Sequence, residues 1–261
     1  MGLVPKTWLL AGPLVATLAS PLAVRPGEAT TAPPPPAGIS WEKDFKTALR
    51  SARERGKPVL VDFWAEWCEW CHELDATTYR DPVVIDLARG FVAAKVNTEG
   101  SLGEAELAAR YGAATLPTIG FVSPAGRLFL RRTSFEGPDR FPATLEEARG
   151  LARDVIAFEA ALAGDGKDAA ALAGLGTLLA DRKLFAESLE LLRAARKLDE
   201  DRPVKERKRT RRALAAALRA TGKARDADRI LQEALALRPA DADEDKAALS
   251  GRGELDLRAP R

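Results

Sequence analysis

Cysteine, histidine and methionine are almost missing from this sequence: two, one and one among 261 residues. Two cysteines cannot build a disulfide framework, so any sulfur chemistry belongs to a single pair. A charge excess of either sign is missing as well, with 40 Lys and Arg against 38 Asp and Glu. The net charge of +2 provides no overall field toward nucleic acid or an acidic partner, and no nucleic-acid partner is expected. What remains is ordinary for a globular chain, 46% hydrophobic and 30% charged, and long enough for one large domain or two smaller ones.

Long apolar runs are absent, save one. Lys6 precedes a run from Trp8 to Val24 that is short for a membrane span and interrupted by Pro13 and Pro21. Residues 1–25 read as a secretory signal peptide or, lacking a clean Ala-x-Ala cleavage site, as an uncleaved N-terminal anchor. The segment holds no cysteine, which excludes lipid attachment through one. Residues 26–39, with TTAPPPPAG from Thr30 to Gly38, read as an extended Pro-rich linker. An exported start followed by a spacer places the working domain outside the cytoplasm, in a bacterial periplasm.

Both cysteines stand in Cys68-Glu69-Trp70-Cys71-His72. C-x-x-C-H is the attachment spelling of a c-type haem, and C-x-x-C is that of a redox dithiol. A covalent haem needs a second axial ligand, often Met or His. The only Met is Met1 and the only His is His72, which disfavours haem. Zinc would find three ligands, with Cys71 and His72 adjacent and awkward for one ion. The redox dithiol is the reading that stands, and neither a cofactor nor a metal is expected.

The flanks agree with it. Trp41 to Arg55 carries apolar residues at helical spacing and stops at Gly56. Val59-Leu60-Val61-Asp62-Phe63-Trp64 is short, apolar and rich in β-formers, as a strand buried on both faces would be. Helical character follows Cys71. The dithiol then sits where a central strand ends and a helix begins. Cys68 falls at the helix N-terminus, where unpaired N–H groups favour a thiolate, the form that attacks disulfides. Cys68 is the expected nucleophile and Cys71 the resolving thiol. Asp62 is a carboxylate inside a buried strand. Burial raises its pKa and suits it to exchange a proton with Cys71. Trp67, Glu69 and Trp70 flank the dithiol as candidate substrate contacts, and Glu69 also places a negative charge beside Cys68 that opposes its thiolate. His72 reads as a semi-exposed helix residue, and Phe63 and Trp64 as core. Further on, Phe91 to Asn97 reads as a strand and Gly103 to Tyr111 as a helix. Leu116-Pro117-Thr118 then precedes two strands, IGFVS and RLFLRR, joined by a turn at Pro124-Ala125-Gly126.

VLVDFWAEWCEWC (Val59 to Cys71), with Leu116-Pro117-Thr118 downstream, resembles thioredoxin. More closely, it resembles the thioredoxin-like C-terminal domain of DsbD-type membrane thiol-disulfide interchange proteins. Tyr79 to Val84, after the cysteine-bearing helix, is similar to that branch. The resemblance covers residues 40–148. It implies an α/β thioredoxin-like fold, a central sheet flanked by helices, and thiol-disulfide oxidoreductase activity. It also implies a cis Pro117 that faces the dithiol and, with Leu116, guides the substrate backbone, and it matches Asp62 to a buried acid behind the second cysteine. Reduction of disulfide-containing partner proteins, with a membrane thiol-disulfide reductase as electron donor, follows from the same resemblance.

From Leu151 the strand signals vanish. Leu172, Leu175, Gly176, Leu179, Ser188, Leu192 and Ala195 follow a tetratricopeptide spacing, which Leu214, Ala215, Leu218, Ala227, Leu231, Ala234 and Pro239 repeat. Residues 149–240 resemble a degenerate, all-α tetratricopeptide pair; a generic helical bundle is the alternative. Such a region suits partner binding and is expected to be dispensable for the chemistry, since it holds no Cys or His. The basic run Arg202 to Arg212 reads as a solvated helix face, and residues 241–261 as a disordered tail. Two functions compete. One is an exported oxidoreductase whose helical region selects partners. The other is a tetratricopeptide-type scaffold whose redox domain is secondary or chaperone-like.

Overall fold

The structure, a computed structural model, describes residues 38–256, with side chains through residue 251. The expected signal peptide, all but the last two residues of the linker and the final five residues of the tail lie outside the described residues.

Asp44 decides where the first helix starts. Its carboxylate accepts the Thr47 N–H at 2.7 Å, so the helix expected from Trp41 begins only at Phe45. Trp41–Glu42 is instead a short strand, β1, with Trp41 opposite Ala93, and Phe45–Arg55 is α1. The next elements are β2 (Val59–Trp64), α2 (Glu69–Ala76), a 3-10 turn (Thr78–Arg80) and α3 (Pro82–Ala88). β3 (Val92–Asn97) and α4 (Leu102–Arg110) follow, the helix opened by a Ser101–Glu104 capping box. β4 (Thr118–Val122) and β5 (Leu128–Arg132) complete a five-stranded sheet ordered β1-β3-β2-β4-β5. The first three strands in that order run parallel, and β4 and β5 add antiparallel pairs. This is the thioredoxin-like sheet with flanking helices. β2 lies at its centre because Val59, Leu60, Val61 and Phe63 are fully buried there. Phe63 opposes Thr118, so Leu116–Pro117 sits at the end of the sheet where β2 passes into the cysteine motif.

Helix α5 (Phe141–Gly164) runs through the domain boundary expected at residue 148. Phe141, Leu145, Ala148, Ala152 and Val155 all join the core of the sheet, so the helix has no break there. Five helices follow: α6 (Ala169–Asp181), α7 (Phe185–Lys197), α8 (Val204–Ala220), α9 (Ala224–Ala236) and α10 (Ala242–Asp256). Each packs on the next. The repeat positions from Leu172 to Ala195 and from Leu214 to Ala234 face inward, and all are buried. Gly176 admits α7 closely, since a Cβ there would lie 2.8 Å from Leu192 Cγ. Leu175, Leu179 and Leu184 share one apolar cluster with Phe63, Phe121 and Phe129 of the sheet. The first of these helices therefore joins the core of the sheet, while Leu189, Leu192, Leu214, Leu218, Ile230 and Leu231 of α7, α8 and α9 gather a separate apolar cluster.

Two expectations fail together. The basic run is a solvated face only at Lys205 and Arg209, which are exposed: Lys208 is fully buried and ion-paired to Asp245 of α10, and Arg211 holds Asp199 at 2.6 Å. The acidic stretch after Asp241 is not disordered: it forms α10, where Glu244 meets Arg212 at 2.9 Å and Ala248 is buried. Each segment looks unfoldable by itself, and each supplies the other's counter-charges. Among the described residues, no helix is long and apolar enough to cross a membrane.

Candidate active site

Cys68 is the N-cap of α2, as its position after β2 requires. Its Sγ accepts the Cys71 N–H at 3.2 Å, while its carbonyl accepts the N–H groups of Cys71 and His72. Cys68 and Cys71 are joined in a disulfide, both almost wholly buried. When that bond is reduced, the Cys71 N–H is already aimed at the sulfur that must carry negative charge, and the helix N-terminus adds its positive end.

Asp62 lies fully buried on β2, and burial is the main force pushing its carboxyl up to about 6 from the ordinary 3.8. Lys95 opposes that shift. It faces Asp62 across the β2–β3 register, with Nζ 3.0 Å from Oδ2. The approach is close enough for an ion pair but too poorly aligned for a directed hydrogen bond. Lys95 Nζ is shared with Asp75 of α2 at 2.5 Å and lies over the rings of Trp41, Trp64 and Tyr79 at 5.1, 5.8 and 5.4 Å. Tyr79 is buried beside Asp62; burial first, then the Asp62 charge, raises its phenol well above the ordinary value.

The remaining candidates are placed as follows. Trp67 and Trp70 are exposed beside the cysteines, and so is Glu69. The Trp67 indole N–H donates to Glu99 at 2.7 Å, and Trp70 tilts against Phe135 with centroids 5.2 Å apart. Pro117 is buried, Leu116 half-buried, and the bond between them is cis. His72 is exposed, with Nε2 2.8 Å from the Glu66 carbonyl oxygen. Phe63 is core, whereas Trp64 is only half-buried and lies against His72 and Lys95. Among the described residues, no cluster of His, Cys, Asp and Glu could hold a metal. Cavities of about 590 and 480 Å³ lie along α6 and α8, and one of about 490 Å³ lies between β5 and α5; none shares a lining residue with the dithiol. The disulfide itself has little exposure, 4% at Cys68 and 1% at Cys71, so a partner reaches it only past the exposed side chains around it.

Sequence reasoning missed Lys95, Asp75, Tyr79, Glu99 and Phe135. Lys95 left one trace, a charge inside the otherwise apolar run Phe91 to Val96. Its partner is set by strand register, which sequence pattern does not supply.

A cysteine pair capping the helix that leaves the central strand, with a buried acid in that strand, defines a thioredoxin-like dithiol domain. Comparison with known proteins agrees: the thioredoxin-like family model matches residues 40–124. The thiol:disulfide interchange protein DsbD of Vibrio vulnificus is 32% identical over 85 residues, 32% of this chain and 14% of that protein. DsbD of Ralstonia nicotianae is 33% identical over 109 residues, 41% of this chain and 18% of that one. This chain thus spans less than a fifth of either relative. The oxidised C-terminal domain of Neisseria meningitidis DsbD aligns at 23% identity and a TM-score of 0.35, over 42% of this chain and 98% of that one.

Proposed function

We propose that this protein is an exported thiol-disulfide oxidoreductase that reduces disulfides in partner proteins outside the cytoplasm. The observation that carries the reading is the Cys68–Cys71 pair at the N-terminus of α2, with its sulfur already facing a backbone N–H. In the reduced protein the Cys68 thiolate attacks a partner disulfide, forming a mixed disulfide and releasing one partner thiolate. Cys71 then attacks Cys68 Sγ, releasing the second partner thiolate and restoring the internal disulfide. Asp62 takes the Cys71 proton in that second step. Leu116 and Pro117 border the site where the partner backbone lies. The exposed carboxylates around Cys68 oppose a strongly stabilised thiolate, which favours reduction of partners over their oxidation. An oxidising compartment demands an electron supply, and a membrane thiol-disulfide reductase fits that role. The helical region positions partners.

Insulin reduction driven by dithiothreitol tests the reading. The expected outcome is turnover by the wild type and background turnover by Cys68→Ser. Equal rates would remove the enzyme and leave an interaction protein.

A further inference from the structure

Trp67 and Trp70 are the largest exposed apolar side chains among the described residues, at 64% and 59% exposure, and they bracket Cys68 in sequence. Neither is loose. Glu99, between β3 and α4, holds the Trp67 indole N–H, and Phe135, between β5 and α5, supports the Trp70 ring. Two indoles fixed from separate loops and still more than half exposed add little to the core and present a ready contact surface. Around them Glu66, Glu69 and Glu99 are exposed, and among the described residues none of the three forms an ion pair. Cys68 is only 4% exposed, so a partner sulfur must cross this rim to reach it.

We propose that this rim selects partner segments in which a cystine is flanked by an apolar side chain and by Lys or Arg. The proposal rests on the reductase reading and names its substrate class. The indoles bury the apolar neighbour and present π-faces to a cation, while the three carboxylates draw basic segments in and slow acidic ones. The exchange is the one already balanced: two electrons pass from the dithiol to the partner cystine, and dithiothreitol restores the dithiol.

The test uses the full reduced chain and three synthetic peptides, each closed by one cystine, flanked by Leu and Lys, by Leu and Glu, or by Ser and Lys. Insulin serves as reference. At low salt the Leu/Lys peptide is expected to oxidise the protein on the order of tenfold faster than the Leu/Glu peptide. In 1 M salt, where screening acts beyond roughly 3 Å, the ratio should fall to about two. The Leu/Lys peptide should also outpace Ser/Lys on the order of tenfold, a gap that closes in Trp70→Ala. The double variant Glu66→Lys, Glu69→Lys should reverse the preference between Leu/Lys and Leu/Glu. Both peptides meet the same thiol, so the ratio is blind to its intrinsic reactivity. Equal Lys and Glu rates at low salt, or a ratio indifferent to salt, overturn the proposal and leave the reductase standing if insulin is still reduced. Failure to reduce insulin or any peptide removes both.

Discussion

Asp62 carries the sharpest consequence of single-residue burial. Its carboxyl titrates at about 6 in the folded chain, against an ordinary 3.8. The folded state therefore binds this proton more tightly than the unfolded state does. The favourable contribution is complete below 3.8 and is lost as pH rises through about 6. Asp62→Asn removes the titration without stranding Lys95, which keeps Asp75 at 2.5 Å. Denaturant unfolding of the oxidised protein should show Asp62→Asn more stable than wild type by roughly 3 kcal/mol at pH 8, with the gap closing toward pH 4. Parallel stability curves would show that Asp62 is not the buried, proton-favouring group described. The same variant should slow resolution of the mixed disulfide. That Asp62 is buried and costly was legible in its strand; that Lys95 offsets the cost was not, because the two meet only through the β2–β3 register.

Among the elements, α8 and α10 depend most on each other. α10 carries Asp243, Glu244 and Asp245 in its first turn, and among its side chains described, through residue 251, Ala248 is the one buried apolar residue, so this stretch has little apolar surface of its own to seat it. Lys208 and Arg212 supply what is missing. The hydrogen bond from Lys208 holds the Asp245 carboxyl below the usual range. Replacing Asp245 by Ala leaves the Lys208 ammonium buried without its partner, whereas Lys208→Met replaces the pair by an apolar contact. Hydrogen exchange should then show α10 amides losing protection in Asp245→Ala, with α6 and α7 unchanged. Lys208→Met should cost less or nothing. Equal and minor effects would mean that packing alone seats α10. Composition misleads here because charge runs are scored against water, whereas these runs face each other.

At the scale of the whole molecule, the sheet shares its core with α5 and α6, while α8 and α9 gather a second cluster. Leu175, Leu179 and Leu184 lie in the cluster built around Phe63, Phe121 and Phe129, and α5 crosses the expected boundary unbroken. A fragment of residues 38–150 ends within α5 and lacks Ala152 and Val155. Circular dichroism and thermal unfolding should find it far less stable than the full chain, with a broad or absent transition. A fragment of residues 38–197 keeps every residue of that cluster and should unfold cooperatively and retain dithiol activity. A cooperative 38–150 fragment would restore the reading of the helices as a separable attachment.

Local pattern determined the dithiol, the central strand, the strand-to-helix junction that places Cys68 at an N-terminus, and the inward positions of both helical hairpins. Each of these follows from neighbours within a few residues: an apolar run, a periodic stripe, a cap. Tertiary structure alone decided that Lys95 would sit between Asp62 and Asp75, that Glu99 and Phe135 would brace the two tryptophans, and that an acidic tail would fold against a basic helix. Those outcomes depend on which distant segments meet, and the free energy of a charge or an aromatic face is set by what meets it.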